Sequence, residues 1–338
     1  MKRYMGVDLH RNCFTVCTRT EAGRESMREW SIRSLEAFAR TVKQSDEVAV
    51  EATGNTRLFT DALEGRGCRV AVVNPQQFEV ISRSVKKTDE HDAKVLAEFL
   101  SKDMLPEVRM KDPVQAQVGS LLQTRDKLVK LRTTLKNKIN NMLAARGILL
   151  RKESLASEKG LNQVLQAEVG EIQRVELEVL VEQIRHLNES IAKLEDAIRK
   201  QGPKLPGWKN LTSIKGIGDI GGAIMLATIG NVHDFADEGK LAAYFGIVPR
   251  VGDSDETERR GRITKRGNKL GRTALVQCSL IAMRYNPYLQ AYYRRMAARR
   301  GTGKAIIALS RKFLGIIYKT LKYDWVFEDF PRFVLANG

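Results

Sequence analysis

The first hundred positions break into short apolar runs separated by turn residues. RYMGVDL and FTVCTRT are β-rich and close together, which predicts a hairpin, and REWSIRS is a third strand candidate. Residues 34–43 carry helical spacing through Leu35, Phe38, Ala39 and Val42. EVAVEA is a compact apolar run containing Glu51, and the Gly54-Asn55 breaker follows it. The spacing then predicts a helix over 56–65, a strand at CRVAVVN, and a helix from Pro75 to about residue 84. A further helix starts at Thr88, an N-cap residue, with Val95, Leu96, Phe99 and Leu100 as its buried stripe. Three strands followed by strand–helix alternation give a mixed sheet with helices on its faces.

From residue 112 to 200 strand signals vanish and apolar positions recur every three or four residues. Val118, Leu121, Leu122, Leu128 and Leu131 begin one such run, and Leu180, Ile184, Leu187 and Ile191 belong to a second. Gly147 and Gly160 lie between them, so the segment reads as a helical hairpin or antiparallel coiled coil. Pro203, Pro206 and Gly207 end it. Helices are expected beyond, over 220–229, 237–245, 267–284, 286–299 and 303–322. Trp325, Phe327, Phe330 and Phe333 form an apolar tail that should pack back. The fold class is therefore α/β followed by all-α, in three regions: 1–108, 109–202 and 203–338.

Composition narrows the class. The apolar share of 43% is ordinary for a globular chain. No window approaches the roughly 18 uninterrupted apolar residues of a membrane helix. MKRYMGVDLH lacks the apolar core of a signal peptide, so a cytoplasmic protein with no membrane partner is expected. Cys13, Cys17, Cys68 and Cys278 form no CxxC pair, which argues against a zinc ribbon or disulfide framework.

Against 40 acidic residues stand 57 basic ones, a formal charge of +17, and its simplest partner is nucleic acid. The excess is local. Residues 1–100 hold 16 basic and 15 acidic groups, whereas residues 206–338 hold 22 and 11. Within the first arm of the helical hairpin, Arg125, Lys130, Arg132, Lys136 and Lys138 are candidate nucleic-acid contacts, while the second arm is acidic. As a solvated stalk the arm would need no ligand. In Ile214-Lys215-Gly216-Ile217-Gly218, Gly216 and Gly218 permit a tight turn that exposes backbone N–H groups. This is the helix-hairpin-helix pattern, with Lys215, Gly216 and Gly218 as its candidate phosphate contacts. Arg259, Arg260, Arg262, Lys265, Arg266, Lys269 and Arg272 then crowd a Gly-rich, poorly periodic stretch, read as a basic loop. Ser254 lies among Asp253, Asp255, Glu256 and Glu258, a setting that ordinarily means turn chemistry.

The acidic exceptions in the first region carry the candidate chemistry. Asp8 lies inside an apolar strand run, Glu51 ends another, and Asp89 and Asp92 share one face at a helix start. If the first and fourth strands are neighbours, the carboxylates gather at one sheet edge. Their repulsion then calls for metal ions, and hard oxygen ligands suit Mg²⁺, one or two ions per site. Lys86 and Lys87 stand just before, where a phosphate would arrive. His10 and His91 flank the acids, with surface roles the plainer reading.

GVDLH, VEATGN and KTDEHDA, in that order, resemble the DEDD transposases of bacterial insertion sequences, the one-ten family that includes Piv-type invertases. The resemblance implies an RNase H/RuvC-like first domain with Asp8, Glu51, Asp89 and Asp92 as its metal-binding acids. GIVPR, a variable loop and RGRITKRGN are similar to the same family's C-terminal domain. There a serine about five residues after the proline attacks DNA and is joined to its 5′ phosphate, and Ser254 falls on that position. The family's Ser-Ser-Gly stands here as Asp253-Ser254-Asp255, and Thr257 is the nearest other hydroxyl. The resemblance further implies double-stranded donor and target DNA, a structured bridge RNA, and a homo-dimer or tetramer with composite active sites. The other readings are a RuvC-like metal-dependent endonuclease using water, and a non-enzymatic nucleic-acid scaffold.

Overall fold

The computed structural model describes residues 2–75, 78, 88–151, 153–254 and 257–335, with the side chains of 251–260 excepted. Lys86 and Lys87, and most of the helix expected from Pro75, lie outside the described residues. The chain divides into two compact units, Met1–Met110 and Lys111–Gly338.

The first unit is a five-stranded sheet. Strands β1 (Arg3–Leu9), β2 (Cys13–Thr20) and β3 (Glu25–Ser31) form an antiparallel meander. β4 (Glu47–Glu51) and β5 (Arg69–Val73) continue it in parallel, giving the order β3-β2-β1-β4-β5. The inner strands are apolar on both faces because both are covered. Met5, Val7, Phe14, Val48 and Val50 pack with Phe38 of α1 (Leu35–Thr41) and Phe59 of α2 (Thr56–Leu63). Ala49, Ala71 and Val73 face the opposite way, onto Leu96 and Leu100 of α3 (Asp89–Ser101). The period of two along β4 therefore serves two cores rather than one core and solvent.

The second unit is helical apart from one ribbon. α4 (Pro113–Ala144) runs against α6 (Glu171–Gln201), and α5 (Glu158–Leu165) sits in their connection. Ile139, Leu143, Leu161, Val164, Val181 and Ile184 make a core of their own there. At the other end Val118, Leu122 and Ile198 belong to the same core as the C-terminal helices. These are α7 (Trp208–Thr212), α8 (Asp219–Ile229), α9 (Glu238–Tyr244), α10 (Lys269–Tyr285), α11 (Pro287–Arg300) and α12 (Thr302–Lys322). The aromatic tail packs back as its composition implies, with Phe330 buried and Phe327 and Phe333 against it. Among the described residues no helix is long and apolar enough to cross a membrane.

One expectation is corrected. The basic stretch read as an irregular loop contains an antiparallel ribbon, β6 (Pro249–Ser254) and β7 (Thr257–Ile263), with Ser254 opposite Thr257. Thr257-Glu258-Arg259-Arg260-Gly261-Arg262 has charged residues in both alternating sets. No apolar face marks the strands, so the ribbon is held by its backbone ladder and leaves no periodic signal.

Phe14 meets Trp30, Phe38 and Phe59 in one aromatic cluster and is fully buried. Phe14→Ala should therefore cost the first unit about 3–5 kcal/mol, measured by denaturant unfolding. A loss under about 1 kcal/mol would contradict the packing described.

Candidate active site

Asp8 is the penultimate residue of β1, paired with Thr15 of β2. Val7 is in register with Val50 of the parallel strand β4, so Asp8 and Glu51 follow at the same end of adjacent strands. The backbone carbonyl of Glu51 accepts the Thr56 hydroxyl at 2.7 Å, and Ala52 N–H donates to the Val73 carbonyl at 2.9 Å, which fixes the strand end.

α3 brings the other acids. Its N-cap Thr88 accepts the His91 backbone N–H at 3.2 Å. Asp89, Glu90 and Asp92 fill the first turn, where the helix dipole favours negative charge. How near they come to β1 is decided by Gly6. A Cβ built on Gly6 would lie 2.0 Å from the Ala93 carbonyl oxygen and 2.4 Å from the Ala97 nitrogen. Ala93 and Ala97 are buried small residues on α3, so helix and strand touch almost backbone to backbone. At the flank, Lys94 pairs with Glu25 of β3 at 2.7 Å.

His10 joins the acids. Its Nε2 is 3.2 Å from Asp8 Oδ2 and 3.1 Å from Asp89 Oδ2, and the three groups could hold a metal ion together. Burial raises the Asp8 pKa above the usual carboxylate range; His10 opposes the rise, and the charges of Asp89 and Asp92 add to it. For His10 burial acts downward, but the charges of Asp8 and Asp89 outweigh it and hold the imidazole above its ordinary value. A carboxyl whose pKa is raised by burial and by the charges of two neighbouring acids is a fit for a divalent cation. A cleft of about 490 Å³ lined by Thr15, Arg28, Glu29, Thr88, Asp89 and Glu90 opens beside them.

Sequence reasoning treated Asn55 as part of a chain breaker. Here its Nδ2 donates to the His10 carbonyl at 3.0 Å and braces the turn after β1. No periodicity could show that, because the contact spans 45 positions.

In the second unit Ser254 ends β6 and Thr257 begins β7; their side chains, with those of Arg259 and Arg260, lie outside the described ones. Arg262, Lys265, Arg266 and Lys269 are exposed, and Arg272 donates to the Phe245 carbonyl at 3.1 Å. Gly216 has φ +114°, and a Cβ there would sit 2.6 Å from the Ala282 nitrogen, so this turn is seated on α10. Gly218 precedes α8 in open space, and the Lys215 amine stands 5.3 Å from the Tyr285 ring centre.

Most of the basic residues chosen in the arm have partners within it. Arg125 Nε donates to Glu195 at 2.8 Å, Arg132 to Asn188 at 2.7 Å, and Lys138 pairs with Glu176 at 3.3 Å. Lys130 pairs with Asp126 along α4. Lys136 differs: burial, with the nearby Arg132 charge, lowers its pKa, and it lines a cleft of about 430 Å³ with Asn137, Asn140 and Arg151. A basic cluster on α11 was missed. Arg294, Arg295, Arg299 and Arg300 are exposed there, and the Lys312 amine lies 4.9 and 5.1 Å from the Tyr288 and Tyr292 rings. The signal was available, since the chain from Arg259 to Tyr323 contains no acidic residue.

Comparison with known proteins identifies an enzyme that acts on DNA. Residues 5–147 match the DEDD transposase family of IS110 type, and residues 208–294 match the family described as Transposase IS116/IS110/IS902. The transposase for insertion sequence element IS1111A of Coxiella burnetii is 27% identical over 94% of this chain and 89% of its own length. The transposase for insertion sequence element IS1328 of Yersinia enterocolitica is 24% identical over 96% and 98%. The pilin gene-inverting protein of Moraxella bovis is 26% identical over 97% and 98%. The chain belongs to the IS110 family of DEDD transposases.

Two outcomes follow from this geometry. Gly6→Ala must push α3 off β1, which should cost about 1–3 kcal/mol or more and impair DNA cleavage; a stable, fully active variant would refute the close-approach account. Folded Asp8 also holds its proton more tightly than it does in the unfolded chain. Stability therefore falls as pH rises from the unfolded value, about 3.9, through the raised folded one. Asp8→Asn should accordingly melt above wild type at neutral pH in EDTA, and the difference should close below about pH 3.

Proposed function

We propose that this transposase cuts and rejoins DNA through a covalent phosphoserine at Ser254, with the four acids of the sheet edge serving the same phosphate. The reading rests most on the strand register that puts Asp8 beside Glu51 and on the approach of Asp89 and Asp92, whose charges act on Asp8. The strand order β3-β2-β1-β4-β5, with β1 and β4 parallel, supports an RNase H/RuvC-like first domain. Asp8, Glu51, Asp89 and Asp92 would hold one or two divalent ions, Mg²⁺ being the abundant hard cation that carboxylates suit; such an ion neutralises charge building on the phosphate.

The Ser254 oxygen attacks phosphorus, and the bond from phosphorus to the 3′ oxygen breaks. The serine proton leaves to a neighbouring base, and the departing 3′ oxygen gains one. The ester keeps the 5′ phosphate on the protein, and attack by another 3′ hydroxyl reverses the step and frees the serine. Lys265, Arg266 and Lys269, exposed after the ribbon, would receive phosphates of the duplex, as would Arg259, Arg260 and the exposed Arg262 within it. The turn at Lys215, Gly216 and Gly218 offers a further backbone contact as a helix-hairpin-helix. Ser254 and the acids belong to different units of the chain. They meet either by the chain folding over or by pairing of protomers, and the family resemblance favours the second, a homo-dimer or tetramer in which one protomer's serine serves another's acids.

A structured bridge RNA would pair with donor and target DNA and so carry the sequence choice outside the protein. Since Arg125, Arg132 and Lys138 join the two arm helices, Lys136 and Arg151 in the arm cleft are the better placed to hold it.

Denaturing electrophoresis of the protein with labelled DNA, guide RNA and Mg²⁺ tests the reading. A protein–DNA adduct that disappears in Ser254→Ala is expected, as is its loss in Asp8→Asn with Asp92→Asn. Nicked DNA without adduct, unchanged in Ser254→Ala, would instead establish a water-using nuclease.

A further inference from the structure

We propose that His10 is a ligand of the metal site, and that its nitrogen makes the site bind Mn²⁺ more tightly than Mg²⁺. The inference rests on the metal-binding reading of Asp8 and Asp89 and adds a residue that the four acids do not include. His10 follows β1 two positions after Asp8, so on an extended chain both side chains leave the same face.

The distances are those of neighbouring donors around one ion. In an octahedral shell with metal–ligand bonds near 2.1 Å, donor atoms at right angles lie about 3 Å apart. His10 Nε2 stands 3.2 Å from Asp8 Oδ2 and 3.1 Å from Asp89 Oδ2, on two different secondary-structure elements. All three donor atoms lie within 4.8 Å of one another.

The backbone that carries the imidazole is also held in place. His10 N–H donates to the Cys13 carbonyl at 3.0 Å, and the His10 carbonyl accepts Asn55 Nδ2 at 3.0 Å. Its backbone is thus fixed from both sides, while the side chain remains 46% exposed. A residue needed only for folding would be expected deeper in the core; this one is pinned at the mouth of the site.

One nitrogen among oxygens changes which ion is preferred. Mg²⁺ favours oxygen ligands and keeps its waters, whereas imidazole suits transition ions, of which Mn²⁺ is the one most compatible with carboxylates. Mn²⁺ should gain affinity from His10, and Mg²⁺ should gain little.

Calorimetric titration of the full chain with Mn²⁺ and with Mg²⁺ separately, for wild type and His10→Ala, tests this. The substitution is expected to weaken Mn²⁺ by about tenfold or more and to move Mg²⁺ by less than about threefold. Electron spin echo spectra of the Mn²⁺-loaded protein should show a directly bonded nitrogen in wild type and none in His10→Ala. Equal loss of both ions, no loss of either, or a spectrum without nitrogen coupling would overturn the role of His10 and leave the four acids standing. Failure of wild type to bind either ion would overturn this role and the metal-site reading together. Circular dichroism of His10→Ala, expected unchanged, separates these outcomes from unfolding.

Discussion

The backbone of α3 lies so close to Gly6 that one methyl group would overlap it, and this contact sets the height of the helix above the sheet. The acids of the site depend on that height. Asp8 is fixed by the strand pairing of β1, and Glu51 by the parallel register of β4. Asp89 comes within 3.1 Å of His10, and Asp92 near enough for its charge to act on Asp8, because Ala93 and Ala97 let the helix down onto the strand. A protein that gathers like charges gives up stability to do so unless a cation offsets the repulsion. The upward shift of the Asp8 pKa carries part of that cost, added to the larger effect of burial.

Charge is arranged oppositely in the helical unit. The arm sets a basic helix against an acidic one, and the ions largely satisfy each other through Arg125–Glu195 and Lys138–Glu176. Beyond Glu258 there is no acid until Asp324, so the cations of the ribbon, α10 and α11 have few carboxylates to meet. Lys319 of α12, in the same acid-free span, pairs instead with Glu238 of α9 at 3.7 Å. The net charge of +17 therefore overstates the arm as a polyanion surface and understates α11.

Elements with a buried face were legible in the sequence. The strands of the sheet, the Thr88 cap and the long periodic helices appear close to where their apolar spacing puts them. The ribbon holding Ser254 was not, because both of its alternating sets carry charge and no core selects a face. Asn55 escaped for a related reason, and His10, though it flanks the acids in sequence, reads there most plainly as a surface residue. A single polar residue in a turn has no pattern around it, and its role lies in one distant partner.

The sequence by itself determined the kinds of elements, the neutral first region, the basic last one, and the family to which the acids belong. Those properties are carried by local spacing and by residue identity. Only the tertiary structure decided that Asp8 and Glu51 stand side by side, that Gly6 admits α3, and that His10 bridges two carboxylates. It also decided which arginines of the arm are engaged with acids of their own chain. Each is a relation between residues far apart in sequence. Such relations are fixed by strand register and by how closely backbones approach, neither of which is written in the spacing of any one segment.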